Sequence, residues 1–224
     1  MRTVVFDLDG TLADTSGDLI AAANACFVAR GHRDVLNAGQ DALIAFHGGR
    51  AMLKAGYERL GLEQAEVEAR IEDDYQPLLA HYGANIDRHT LLYPGAVEAV
   101  KTLRGQGFAT AICTNKPEGL ARELVARLDI ADLFDALIGA DTLPVRKPAP
   151  DPYLAAVAQA GGAVKRSLLV GDTNTDRETA RAVGVPCILV TFGPEGRAIE
   201  RLSPEALLDH YDTLPALVAQ MLGD

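Results

Sequence analysis

Val4-Val5-Phe6-Asp7-Leu8-Asp9-Gly10-Thr11-Leu12-Ala13-Asp14-Thr15 begins as a core strand and turns polar with no intervening loop. Val4, Val5 and Phe6 are β-branched or aromatic, the residue types that fill a buried strand. Side chains two apart in extended chain share a face, so Asp7 and Asp9 are expected to emerge side by side. Two carboxylates that close repel each other unless a cation or a shared proton compensates. Gly10 allows a sharp turn just beyond them, and Thr11 offers a hydroxyl and a backbone amide to an anion. Asp and Gly also favour plain surface turns. The buried strand that leads straight into this pair favours a site.

Working outward, the pattern after Thr15 is helical. Residues 18–30 place Leu19, Ala22, Ala23, Cys26 and Phe27 on one side, with Gly31 as the stop. Further helical patterns cover 40–46, 50–60 and 64–82, punctuated by Gly48-Gly49 and Gly61, and nothing there alternates like a strand. Residues 15–89 are therefore expected to form a small all-helical cap inserted after the first strand, as a lid over the carboxylates. Residues 1–14 and 90–224 are expected to form the core.

From Leu91 onward helix and strand alternate. Helices are expected over 95–104, 117–128, 151–160 and 174–183, with strands over 108–113, 133–138, 167–170 and 185–190. Residues 203–208 read either as a helix start at Ser203-Pro204-Glu205 or as an edge strand at Leu207-Leu208, and 213–221 as a terminal helix. Repeated β-α units predict an α/β fold, a doubly wound parallel sheet with helices on both faces. Ligands of such sheets bind beyond the carboxyl ends of the strands, where Asp7 and Asp9 fall.

Composition narrows the function. Acidic residues outnumber basic ones by 31 to 21, a formal net charge of −10, with no dense Lys/Arg run, which argues against nucleic-acid and anionic-membrane partners. Cys26, Cys113 and Cys187 are isolated in apolar surroundings and are expected to be buried reduced thiols. The N-terminus enters a strand without a signal-peptide layout, and no apolar run approaches a membrane span, so a cytoplasmic location is expected.

The later strand ends carry chemistry. Thr114-Asn115 precedes a helix start, where a hydroxyl, an amide side chain and backbone N–H groups suit an anion; taken alone it is most often a cap. Lys147, held before Pro148, can neutralise phosphate and keep a nucleophile ionised, although a loop lysine is usually a solvated charge. Gly171-Asp172 ends the strand at 167–170, and Asp176 follows in the first helical turn, where acids also favour the helix dipole. A third carboxylate beside Asp7 and Asp9 makes a hard-cation site of the kind that suits Mg²⁺.

Asp7-Leu8-Asp9-Gly10-Thr11-Leu12 resembles the first signature of the haloacid dehalogenase superfamily in its phosphatase form. Thr114 resembles the second, Lys147 the third, and Gly171-Asp172 with Asp176 the fourth. The resemblance covers the whole chain, including the helical insert, and is nearest to the phosphoglycolate phosphatases. It implies that Asp7 is the nucleophile and a Mg²⁺ ligand. Asp9 would be the general acid and base and would bind Mg²⁺ through its backbone carbonyl. Asp172 would be the other direct ligand, and Asp176 would orient metal-bound water or Lys147. The implied activity is Mg²⁺-dependent hydrolysis of a small phosphorylated metabolite through an aspartyl-phosphate, by a monomer or homodimer. A phosphosugar mutase and a non-catalytic phosphate-binding regulator are the alternatives. A metal-free dehalogenase is disfavoured by Asp9. A phosphonate hydrolase is disfavoured because Lys54, the only cap lysine, lacks that family's surroundings. In the cap, Arg50 and then His47, flanking Gly48-Gly49, are the residues best suited to a substrate carboxylate.

Overall fold

Strand β1 (Thr3–Phe6) is fully buried in the computed structural model, which describes residues 1–223. It has parallel neighbours on both sides, as its unbroken apolar run requires. The other elements follow in chain order: β2 (Ala13–Asp14), α1 (Ser16–Ala29), α2 (Ala38–Phe46), α3 (Gly49–Arg59), α4 (Gln64–Ala84), β3 (Leu91–Leu92), α5 (Ala96–Gly105), β4 (Ala109–Cys113), α6 (Glu118–Arg127) and β5 (Ala136–Ile138). Then come α7 (Asp151–Gln159), β6 (Ser167–Gly171), α8 (Asn174–Val183), β7 (Cys187–Val190), β8 (Ala206–Leu208) and α9 (Leu214–Leu222). Six strands form one sheet in the order β5-β4-β1-β6-β7-β8, all parallel, while β2 and β3 pair separately. This is the α/β fold with a helical insertion that the strand and helix patterns predict.

By contacts the chain divides into Met1–Asp14 with the chain from Leu92 onward, and Thr15–Leu91. In the first unit, Val5, Ala111, Cys113, Leu169, Cys187 and Leu189 share one buried sheet face with Tyr153, Ala156 and Val157 of α7 and Ala180 of α8. Alternate residues, among them Phe6, Ile112, Val170 and Ile188, are buried on the opposite face. In the second unit, Phe27 of α1 meets Tyr57 of α3 edge to face at 5.1 Å, and both are buried. Arg30 grips both oxygens of Asp74 at 2.7 Å, and Tyr57 donates its hydroxyl to the same carboxylate. All three cysteines are buried and free.

Two boundaries differ from expectation for local reasons. Residues 131–133 form a 3-10 turn, and β5 starts only at Ala136, because the Leu133 carbonyl accepts from Thr110 Oγ1 at 2.5 Å. The tail resolves as the edge strand β8, not a helix: Glu205 accepts the Cys187 amide and pairs with Arg177, which leads the chain into extended register with β7. Among the described residues no helix is long and apolar enough to cross a membrane.

Candidate active site

Phe6 is level with Ile112 of β4 on one side and Val170 of β6 on the other. Asp7, Thr114 and Asp172 therefore leave neighbouring strands at nearly the same height. The chain visits β4 and β5 on one side of β1 before it crosses to β6, so these ends flank the sheet's switch point.

Asp7, Asp172 and Asp176 are buried, and each offers a carboxylate oxygen within 4.8 Å of the others. Lys147 is buried among them, with Nζ 3.0 Å from Asp7 Oδ1 and 2.6 Å from Asp176 Oδ1. The Asp176 contact is a hydrogen bond. The Asp7 contact is not aligned as one, and Asp7 Oδ1 stays buried without a hydrogen-bond partner. Burial pushes the Asp7 carboxyl up to about 6 against the pull of Lys147. Burial, with Asp176 and Asp7 nearby, raises Asp172 well above the usual carboxylate range. Burial opposes the charge on Lys147, but Asp176 and Asp7 outweigh it and hold its pKa above that of an ordinary lysine. Three carboxylates face one ammonium in a desolvated space. A hard divalent cation is the group that such an oxygen donor set, with one oxygen unpartnered, fits.

Asp176 does two jobs at once. Its Oδ2 accepts from the Thr173 amide at 3.1 Å, Thr173 Oγ1 at 2.8 Å and the Asp172 amide at 3.3 Å, closing a capping box on α8. Its Oδ1 holds Lys147. Gly171 permits this crowding, since a Cβ there would stand 2.4 Å from Asp176 Cβ.

The remaining residues singled out from sequence fall in three places. Thr114 is buried, with its amide bonded to the Ile138 carbonyl at 2.9 Å and its hydroxyl accepting from the Lys116 amide at 3.2 Å. Asn115 donates to the Lys147 carbonyl at 3.0 Å and so anchors the lysine loop. The first amide of α6, on Glu118, is already taken by Asp141 at 2.7 Å, so this helix start offers less to an anion than expected. Thr11 also differs: it is fully buried, its hydroxyl is given to Asp172 Oδ1 at 3.0 Å, and its amide to the Leu8 carbonyl at 3.3 Å. Gly10, at φ 80°, supplies the turn that folds Thr11 back. His47 and Arg50 lie in the helical unit and are exposed. Arg50 is not unengaged: it makes a two-pronged pair with Glu72 at 2.5 and 3.0 Å and covers the Tyr75 ring at 4.6 Å.

One close participant escaped the sequence reading. Lys116, buried, reaches both oxygens of Asp9 at 2.8 and 2.9 Å. The signal was available, because Lys116-Pro117 repeats the Lys147-Pro148 pattern that marked the other lysine. Asp7 and Asp9 thus each have their own ammonium.

A family model of haloacid dehalogenase-like hydrolases matches residues 1–184, and the chain belongs to that family. It is 36% identical over 220 residues to a phosphoglycolate phosphatase of Mesorhizobium japonicum, covering 98% of this chain and 95% of the relative. A phosphoglycolate phosphatase of Cereibacter sphaeroides is 36% identical over 231 residues, with both chains covered in full. Among solved structures, a Haemophilus somnus protein described as a predicted phosphoglycolate phosphatase matches with a TM-score of 0.82 at 23% identity, over 97% of each chain. At that identity the likeness is one of fold. Within that family the chain is similar over its full length to phosphoglycolate phosphatases.

Proposed function

We propose that the protein hydrolyses a small phosphate monoester, phosphoglycolate in the first instance, through a phosphorylated Asp7. The observation that carries this reading is the buried trio Asp7, Asp172 and Asp176 around Lys147, with Asp7 Oδ1 left without a hydrogen bond. A carboxylate in that state is poised as a nucleophile. In the first step Asp7 attacks phosphorus and the ester P–O bond breaks, with Asp9 as the acid that delivers a proton to the departing alkoxide. In the second step Asp9 takes a proton from water as the water oxygen attacks phosphorus, releasing phosphate and restoring the Asp7 carboxylate. Lys147 offsets charge on the transferring group, and Lys116 sets the direction of the Asp9 carboxylate. Mg²⁺ would be held by Asp7, Asp172 and the Asp9 backbone carbonyl; when bound it supplies charge neutralisation and Lewis acidity at the phosphoryl oxygens.

A panel of phosphorylated metabolites, assayed for phosphate release with and without a chelator, tests the reading. Turnover is expected to be highest on phosphoglycolate, lost in chelator and restored by Mg²⁺. Full activity in chelator, or return of the phosphoryl group to a sugar in place of phosphate release, would defeat it.

The same reading gives Arg50 a place in substrate choice, with His47 as a weaker hydrogen-bonding partner. Its pair with the exposed Glu72 is of the surface kind that exchanges at little cost. Arg50→Ala is expected to lower kcat/KM for phosphoglycolate by tens-fold, roughly one charged hydrogen-bonded pair, while an uncharged aryl phosphate is hydrolysed almost as before. Equal losses on both substrates would assign Arg50 to the packing of its own helices.

A further inference from the structure

Tyr211, from the segment that follows the edge strand, is buried at 1% exposure and lies against Phe192, with ring centroids 5.4 Å apart. Phe192 in turn meets Tyr93 at 4.7 Å. An aromatic cluster of this kind needs no hydroxyl, and a buried phenol is costly unless it finds an acceptor. The Tyr211 hydroxyl donates to the Thr11 carbonyl at 2.7 Å, across 200 residues of sequence.

That carbonyl belongs to the turn that carries the nucleophile. Within the turn the Leu8 carbonyl receives the amides of Thr11, Leu12 and Ala13 at 3.3, 3.0 and 3.2 Å, and Gly10 bonds to Ala13 at 2.9 Å. The Thr11 carbonyl and the Leu12 amide share one peptide plane, so Leu8 holds that plane by its N–H edge at 3.0 Å and Tyr211 holds it by its carbonyl edge. The Thr11 side chain gives its hydroxyl to Asp172 Oδ1 at 3.0 Å. The three groups form one chain of contacts: Tyr211 hydroxyl, Thr11 peptide and hydroxyl, Asp172 carboxylate.

We propose that Tyr211 is a positioning residue for the cation site. By anchoring the Thr11 peptide it fixes which way the Thr11 hydroxyl points, and through that hydroxyl it holds one oxygen of Asp172 so that the other faces Asp7. The C-terminal part of the chain thereby sets affinity for the divalent cation without touching it. The inference rests on the reading of Asp172 as a metal ligand.

Calorimetric titration of the metal-free protein with Mg²⁺ provides the test, with thermal midpoints recorded beside it. Tyr211→Phe fills the same space and is expected to weaken Mg²⁺ binding about fivefold, the effect of one lost neutral hydrogen bond. Thr11→Val breaks the next contact, and the double variant is expected to bind no more weakly than Thr11→Val alone, because both act through one chain. Phe192→Leu loosens the same aromatic packing and is expected to lower the thermal midpoint while leaving Mg²⁺ affinity unchanged. Wild-type affinity in Tyr211→Phe, or additive losses in the double variant, would overturn the proposal while Asp172→Asn still weakens binding. Equal binding by wild type and Asp172→Asn would overturn the ligand reading and the proposal with it.

Discussion

Asp7→Asn is expected to abolish phosphate release, by roughly 10⁴-fold or more, while making the metal-free protein more stable. The amide has nearly the shape of the carboxylate but is neither a nucleophile nor a strong ligand for a hard cation. The gain in stability follows from the surroundings of the carboxyl. Burial raises Asp7 to about 6 even with Lys147 beside it, so the folded state prefers the neutral form more than the unfolded chain does. A carboxyl shifted upward takes up its proton earlier in the folded state. The Asp7 contribution to metal-free stability is therefore full in acid and is lost as pH rises from the unfolded value of about 4 to the folded value of about 6. Asparagine cannot ionise and escapes that loss, which amounts to about 3 kcal/mol for a shift of this size. Melting curves of both proteins in chelator at pH 5 and pH 8 check the point: the variant should show the full gain over wild type at pH 8 and roughly half of it at pH 5. Mg²⁺ should then close the gap by stabilising wild type. Phosphate release at wild-type rate by the folded variant would remove Asp7 from the mechanism.

How far the site could be read beforehand depended on how local each signal was. Asp7 and Asp172 announce themselves because a buried strand that ends in acid is anomalous on its own terms, whereas Asp176 stands one helical turn further on, where an acid also serves the helix dipole. The sheet was legible for the same reason, since runs such as Ser167–Gly171 are apolar from end to end and fully buried. Partners were harder. Lys116 carried the same Lys-Pro mark as Lys147, yet nothing within its own segment says that it turns towards a carboxylate 107 residues away. Thr11 reads as an anion donor only until its hydroxyl is seen to serve Asp172. Tyr211 sits between the ambiguous stretch 203–208 and the helix expected at 213–221, and its acceptor is a backbone carbonyl, which no side-chain pattern reveals. Arg50 was singled out from its place beside Gly48-Gly49, and the Glu72 and Tyr75 that engage it come from another helix. Periodicity reports which face is buried; it does not report what a buried polar group touches.

Lys147→Met is expected to cost both activity and stability, and the two losses should respond to different additions. Lys147 is nearly as large and as buried as the methionine that would replace it, so packing changes little and charge changes most. Its ammonium pairs with Asp7 and hydrogen-bonds Asp176. Removing one partner from a buried ion cluster leaves the others uncompensated, typically at about 3–5 kcal/mol. For Lys147 itself, the raised pKa means that its stabilisation is present throughout the range below the ordinary lysine value of about 10.4. The loss in the variant should therefore be seen at neutral pH. It should shrink in acid, because Asp7 and Asp172, whose pKa values are raised already, then take up protons and the repulsion lapses. Mg²⁺ should raise the melting midpoint of the variant by more than that of wild type, since it restores positive charge to the same carboxylates. Turnover should stay low even when Mg²⁺ has restored the fold, by about 10²–10³-fold, because the fixed ammonium that meets charge on the transferring phosphoryl group is gone. Melting in chelator across pH 5 to 8, with and without Mg²⁺, and kcat at saturating Mg²⁺ separate these effects. A variant whose midpoint is insensitive to pH and Mg²⁺, or whose kcat stays within tenfold of wild type, would show that Lys147 is not the counter-charge of this cluster.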